Sequence, residues 1–157
     1  MIDIDNLRMA ANYARYCSQD PRTQNGAVLV AGPKAVASAN VYPLAGWSRH
    51  GAPPDKYDYI EHAERAAIYK AAQAGYSTAG STLYVVWFAC PDCARAIIAA
   101  GISTVVGSLH ARVATPERWE KDVARGEAML RDGGVNIRWL AEKVGVTITF
   151  DGKELSL

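Results

Sequence analysis

Apolar positions along the chain change period several times, and each change marks an element. Over residues 5 to 17, Leu7, Ala10, Ala11, Ala14 and Cys17 recur at three- and four-residue steps, which places them on one helix face. Asp5 has the chemistry of an N-cap for that helix. Asp20-Pro21 ends it, because proline restricts the residue before it and cannot continue the hydrogen-bond ladder. Ala27 to Ala31 reads as a buried strand, Gly32-Pro33 as a turn, and Ala35 to Ala39 as the returning strand of a hairpin, with Asn40 at its end. A helical pattern resumes at His62 and runs to about Ala74, with Gly75 as its C′ residue.

The run Thr82 to Phe88 is strand-like, Cys90 to Ala100 is helical, and Thr104 to Gly107 is strand-like again. This β-α-β order implies parallel strands joined by a right-handed crossover. Pro116-Glu117-Arg118-Trp119 opens an amphipathic helix reaching about Arg131, with Trp119, Val123, Met129 and Leu130 as its apolar contacts. Gly133-Gly134 ends that helix, and Val135 to Trp139 reads as a fifth strand. Thr147 to Phe150 and Lys153 to Leu157 form a small hairpin about Asp151-Gly152, a strong turn pair. Strands alternating with helices predict an α/β fold with a mixed sheet of about five strands.

Between Val41 and Tyr59 the regular pattern fails, broken by Pro43, Gly46, Gly51, Pro53 and Pro54. A loop of this length in a compact domain is functional or disordered more often than not. Its place just before His62 makes it a rim or lid; the alternative is a solvated insertion. His50, within it, reads as a rim residue.

Composition narrows the function classes. A chain of 157 residues fits one domain, 1–157, by the usual size of roughly 100–200 residues per domain. Half of it is hydrophobic and 21% charged, with a formal net charge of +1, an ordinary soluble composition. No block of Lys and Arg suggests a nucleic-acid stripe. The acidic start Met1-Ile2-Asp3-Ile4-Asp5 lacks the apolar core of a signal peptide, and no apolar run is long enough for a membrane. Two of the three cysteines sit in a metal-type spacing, which argues for a reducing, cytoplasmic setting and against a disulfide framework. Cys17 is left over and reads as a small buried apolar residue.

The candidate chemistry lies in His62-Ala63-Glu64 and Cys90-Pro91-Asp92-Cys93. One His and two Cys suit zinc; a structural site takes four protein ligands, whereas three leave a position for water. Pro91 suits a first helical position, so Cys90 and Cys93 fall at a helix N-terminus, where the dipole and free N–H groups favour thiolates. Metal coordination brings bound water towards a pKa of about 7, and Glu64 can take and hand on its proton.

His-x-Glu followed by Cys-x-x-Cys resembles the signature of the zinc-dependent cytidine/deoxycytidylate deaminase superfamily. Within that superfamily, Asp20 to Ala27, Asn40, Lys56 to Glu64 and Ala94 to Ile102 look most like deoxycytidylate deaminases, and the resemblance covers roughly residues 5 to 108. It implies a three-layer α/β/α cytidine-deaminase-like domain and hydrolytic deamination of a deoxycytidine nucleotide, dCMP to dUMP. Zinc-bound hydroxide would attack, with His62, Cys90 and Cys93 as ligands and Glu64 as proton shuttle. It also implies Asn40 and the backbone of Ala63 in the base and sugar pocket, Phe88 or Trp87 in its wall, and a homo-oligomer. Loop cations and hydroxyls flank the motif, and Arg22 and Thr23, with Arg49 and Lys56, are the candidates for a phosphate.

Three departures from the deoxycytidylate deaminase pattern stand out. Ala89 replaces the proline usual before the first Cys, and Ala66 replaces the Asn usual two residues after the Glu. Ser38-Ala39-Asn40-Val41 replaces the Gly-Tyr-Asn-Gly associated in that family with deoxynucleoside triphosphate effectors. A tRNA adenosine deaminase, or another base or nucleoside deaminase, shares the catalytic signature. The near-neutral charge argues against an RNA substrate, whose affinity rests on Lys and Arg contacts to phosphates. A catalytically inert binding subunit with a structural zinc is the alternative of another class, and an intact Glu64 weighs against it.

Overall fold

A computed structural model describes residues 2–157. Helix α1 (Ile2–Cys17) turns Leu7, Ala10, Ala11 and Ala14 inward. The hairpin strands β1 (Gly26–Ala31) and β2 (Lys34–Ala39) follow. A 3₁₀ turn (Ala45–His50) and the short helix α2 (Lys56–Tyr59) interrupt the long loop before α3 (Ala63–Gln73). Next come β3 (Thr82–Val85), α4 (Pro91–Ala99), β4 (Thr104–Ser108), α5 (Leu109–Val113), α6 (Glu117–Asp132) and β5 (Asn136–Leu140). A separate hairpin of β6 (Thr147–Phe150) and β7 (Lys153–Ser156) closes the described chain.

The five-stranded sheet has the order β2-β1-β3-β4-β5. β1 is antiparallel to both its neighbours, while β3, β4 and β5 run parallel, Leu83 opposite Val105 and Val105 opposite Ile137. The mixed sheet and parallel crossover predicted from the pattern are therefore present. One sheet face buries Leu29, Leu83, Val85 and Val105 against α3, α4 and α6, through Ala67, Ala71, Ile97 and Leu130. The other buries Val28, Tyr84 and Val106 under α1 and the β6–β7 hairpin, through Leu7, Ile148 and Phe150. Each fully buried Leu or Ile stabilises the fold by about 1.5–3 kcal/mol relative to exposure, so both layers hold the sheet.

Small residues let backbones meet where the layers touch. A Cβ at Gly26 would lie 2.1 Å from the Ala10 carbonyl oxygen, so α1 rests directly on β1. A Cβ at Gly126 would lie 1.8 Å from the Ala89 carbonyl oxygen, so α6 presses its backbone on the turn ahead of Cys90.

The structure corrects several expectations. Helix α1 begins at Ile2, so Asp5 lies inside it and pairs with Arg8 at 2.7 Å instead of capping it. Cys17 is exposed, because it is the last residue of α1 and stands past the buried Leu7–Ala14 stripe. β3 stops at Val85, since Asn25 draws the next segment out of the ladder: its Oδ1 accepts the N–H of Trp87 and its Nδ2 donates to the Trp87 carbonyl. Gly75 is a positive-φ residue (69°) just past α3, and Asp151 (φ 50°) and Gly152 (φ 75°) form the expected hairpin turn. Among the described residues, no helix is long and apolar enough to cross a membrane.

Candidate active site

Two helix beginnings build the site. His62 is the N-cap of α3 (φ −71°, ψ 150°), and Cys90 is the N-cap of α4 (φ −63°, ψ 165°) with Pro91 as the first helical residue. Neither side chain folds back to cap its own helix, which leaves imidazole and thiol to face each other. His62 Nδ1 lies 3.5 Å from Cys90 Sγ and 3.5 Å from Cys93 Sγ. All three ligating atoms lie within 4.8 Å of one another, and among the described residues no other group of His, Cys, Asp and Glu gathers in this way. Zn–S and Zn–N bonds of about 2.3 and 2.0 Å place the corners of a tetrahedron about 3.5 Å apart, so the donor set fits zinc in spacing and in kind.

The electrostatics agree. The Cys90 thiol is pulled down to about 4, first by the hydrogen bond from Cys93 and then by His62, against the burial that opposes it. Cys93 moves the other way, first through that same hydrogen bond and then through burial, so the pair holds one proton between them. A divalent cation displaces such a proton and takes both sulfurs as thiolates. Burial pulls the His62 imidazole down, but its hydrogen bond with Cys90 and the charge of Glu64 outweigh it and raise it overall.

Glu64 lies in the first turn of α3 with only 2% exposure. Its Oε2 has no hydrogen-bond partner among the described residues. Burial pushes its carboxyl up to about 7. A buried carboxyl with one oxygen unpartnered and poised near neutrality can accept a proton and return it. Behind it, Arg65 pairs with Glu61 and approaches Asp92 at 3.8 Å, tying α3 to the turn between the two cysteines.

His62, Glu64 and Cys90 line the buried part of a cavity of about 470 Å³. Phe88 and Trp87 both form its wall. Phe88 stacks on Trp139 with ring centres 4.2 Å apart, a pose available only because residue 107 is Gly, whose Cβ would lie 2.3 Å from the Phe88 ring. Trp87 is held by Phe150, edge to face at 5.1 Å, and donates from Nε1 to Thr115 Oγ1 at 3.0 Å. Asn40 also lines the cavity, yet its Oδ1 accepts the Ala63 N–H at 3.0 Å and its Nδ2 donates to the Thr23 carbonyl at 3.2 Å. One lone pair and one N–H of the amide are left for a ligand. Ala63 is fully buried, and its N–H is engaged by Asn40 rather than open to the cavity.

The candidate phosphate contacts divide. Arg22 and Thr23 line the cavity. Lys56 lines it too, but is buried in an ion pair with Asp20 at 3.0 Å. Arg49 stays in its own loop, donating to the Gly46 carbonyl. His50 stacks on Tyr59 at 3.8 Å and takes no part in the metal group. Arg65, Tyr57, Arg118 and Trp119 also line the cavity and escaped the sequence reading. Tyr57 and Trp119 meet edge to face at 6.1 Å, so α2 and α6 close one side. Arg118 and Trp119 lie far along the chain from both motifs, and their only local signal is the start of an amphipathic helix.

Comparisons with known proteins agree with this geometry. The family model described as "Cytidine and deoxycytidylate deaminase zinc-binding region" matches residues 2–109. The chain is 37% identical over 76 residues to the deoxycytidylate deaminase of Enterobacteria phage T2, a match covering 48% of this chain and 36% of that protein. The chain thus spans little more than a third of that relative's length. It is 31% identical over 133 residues to an uncharacterized deaminase of Aliivibrio fischeri, covering 78% of this chain and 83% of the relative. The dCMP deaminase of cyanophage S-TIM5, solved with dCMP and dUMP, superposes with a TM-score of 0.69 at 23% identity, over 88% of this chain and 96% of that one. With the family model matching well over half its length, the chain belongs to the zinc-binding cytidine and deoxycytidylate deaminase family.

Proposed function

We propose that this chain catalyses the hydrolytic deamination of a deoxycytidine nucleotide, dCMP to dUMP, with water consumed and ammonia released. The observation that carries the reading is Glu64: a buried carboxyl with an unpartnered Oε2, facing a cavity whose same end holds His62, Cys90 and Cys93. Zinc held by those three residues supplies the Lewis acid that makes water a nucleophile at neutral pH. Glu64 takes the proton from that water, then delivers protons to the ring nitrogen and the departing amine. Its carboxyl near 7 suits both directions. Phe88 and Trp87 flank the base, Asn40 offers its remaining donor and acceptor to the sugar, and Arg22 and Thr23 face the phosphate.

The substrate assignment rests on the likeness to deoxycytidylate deaminases and on the absence of a basic stripe in a chain of net charge +1. The whole of residues 1–157 acts as one deaminase domain, in the cytoplasm and as a homo-oligomer. The test is ammonia release across cytosine, adenine and guanine bases, nucleosides and nucleotides. It is followed by specificity constants for dCMP, deoxycytidine and a tRNA anticodon stem-loop. The reading expects dCMP to lead; faster reaction of the stem-loop overturns it.

A further inference from the structure

We infer that Asn25 is a positioning residue for the reaction: its side-chain amide holds the Trp87 wall of the cavity at a fixed distance from β1 and so sets how tightly a base is taken. The inference rests on this cavity being the substrate site and is independent of which nucleotide fills it. Asn25 lies just ahead of β1, is 4% exposed and itself lines the cavity.

In the β1–β3 ladder Ala27 faces Val85, and the Val86 N–H still reaches the Gly26 carbonyl at 3.1 Å. One step further, the same register sets residue 25 opposite residue 87. There the backbone pairing stops and the amide of Asn25 replaces it. Its Oδ1 accepts the Trp87 N–H at 3.0 Å, and its Nδ2 donates to the Trp87 carbonyl at 2.8 Å. Oδ1 also accepts the Gly26 N–H at 3.0 Å, which fixes the plane of the amide. The Asn25 main chain turns the other way, its carbonyl accepting the Asn40 N–H at 3.1 Å. A side-chain amide offers the donor and acceptor of a peptide, but at the end of a side-chain arm. Trp87 therefore stands off from β1 by that arm while Asn40 is drawn to the main chain directly, and both face the cavity.

Asn is disfavoured in and beside strands, and an apolar side chain would fill this buried place with no polar group to satisfy. What the amide adds is a defined place for Trp87. The other pins of this segment come from outside the cavity. Trp87 Nε1 donates to Thr115, Phe88 stacks on Trp139, and Gly126 seats on the Ala89 carbonyl. The Ala89 seat stands between Trp87 and Cys90, so a shift at residue 87 is stopped before the metal group. Asn25 thus acts on binding of the base more than on the chemical step.

The experiment measures kcat and KM for zinc-loaded wild type, Asn25→Leu, Trp87→Leu and the double variant. The substrate is dCMP, or whichever compound in the ammonia-release screen reacts fastest. Metal content and circular dichroism accompany each protein. A misaligned aromatic wall predicts KM raised about tenfold in Asn25→Leu, with kcat within about threefold. The double variant is no worse than Trp87→Leu alone, because Asn25 acts through Trp87. Asn25→Asp keeps the acceptors for Trp87 and Gly26 and recovers part of the loss; it takes the place of Asn25→Leu in the cycle should the latter not fold. Losses that add in the double variant, or a kcat that falls as far as KM rises, make Asn25 a structural residue and overturn the inference. Should the wild type deaminate nothing in the screen, the substrate reading fails, and the indole N–H resonances of the four tryptophans decide whether Asn25 sets Trp87. The peak missing from Trp87→Leu belongs to Trp87. Its displacement in the Asn25 variant, with the Trp47 and Trp119 peaks in place, sustains the inference, and an unmoved peak ends it.

Discussion

Asn40 Oδ1 accepts the backbone N–H of Ala63 at 3.0 Å, so the residue that follows β2 grips α3 between His62 and Glu64. Asn40→Ala orphans that N–H and the Thr23 carbonyl in a buried place, at about 1–3 kcal/mol for each group left unpaired. The denaturant midpoint falls accordingly. Asn40→Asp keeps the acceptor for Ala63 and recovers part of the loss. Two variants with the stability of wild type would show that the contact adds nothing.

Cys90→Ser and Cys93→Ser each lose zinc, because a hydroxyl replaces a thiolate in a three-donor set. Metal content measured on purified protein checks this. Both variants also unfold at lower denaturant, since zinc binding and folding are coupled. Full occupancy in either one removes that residue from the ligand set.

Glu64→Gln keeps fold and zinc but loses turnover by about 10²–10⁴ or more, because the amide matches the shape and cannot accept the proton. Steady-state ammonia release, with metal content measured in parallel, is the test. Activity within tenfold of wild type takes Glu64 out of the mechanism.

Acid sensitivity has an identified contributor away from the site. The Tyr84 hydroxyl donates to Asp3 Oδ1 at 2.7 Å, and with Arg138 it holds the Asp3 carboxyl below its ordinary 3.8 despite some burial. A carboxyl lowered in the folded state stabilises above the unfolded value, and that stability disappears as pH falls through the folded value. Asp3→Asn is therefore less stable than wild type at neutral pH, and the difference shrinks as pH drops below about 4. Denaturant unfolding at several pH values reads this, and a difference that stays constant with pH refutes it.

Saturation with dCMP should be hyperbolic, and dCTP or dTTP should act only by competition, because Ser38-Ala39-Asn40-Val41 stands where the effector-associated run occurs in the family. In this structure Ala39 and Asn40 are buried at the end of β2, and Asn40 is committed to Ala63 and Thr23. A sigmoidal dCMP curve straightened by dCTP contradicts the prediction.

The sheet and the metal group were legible because both are written locally. Apolar runs such as Val28-Leu29-Val30 announce strands, and Pro91 after Cys90 announces a helix whose cap is a ligand. Periodicity could not show that Cys17 falls beyond the buried stripe, since a helix face does not reveal where its packing partner ends. Nor could it show that Lys56 is buried in a pair with Asp20, 36 residues away, while Arg22 pairs with Asp151 and stays largely exposed. The short helix α5 carries too few residues to establish a period. Arg118 and Trp119 reach the cavity through a fold-level approach of α6, and no spacing along the chain encodes it.

That approach works as a ruler. Gly126 seats α6 on the carbonyl of Ala89, next to the metal group, while Arg118 lies eight positions earlier on the same rigid rod. At 1.5 Å rise per residue the two points are about 12 Å apart along the axis. The reach from the metal group to Arg118 is thus a property of one helix, independent of loop motion. Moving the arginine by one turn would change that spacing by about 5 Å and leave the metal group where it is.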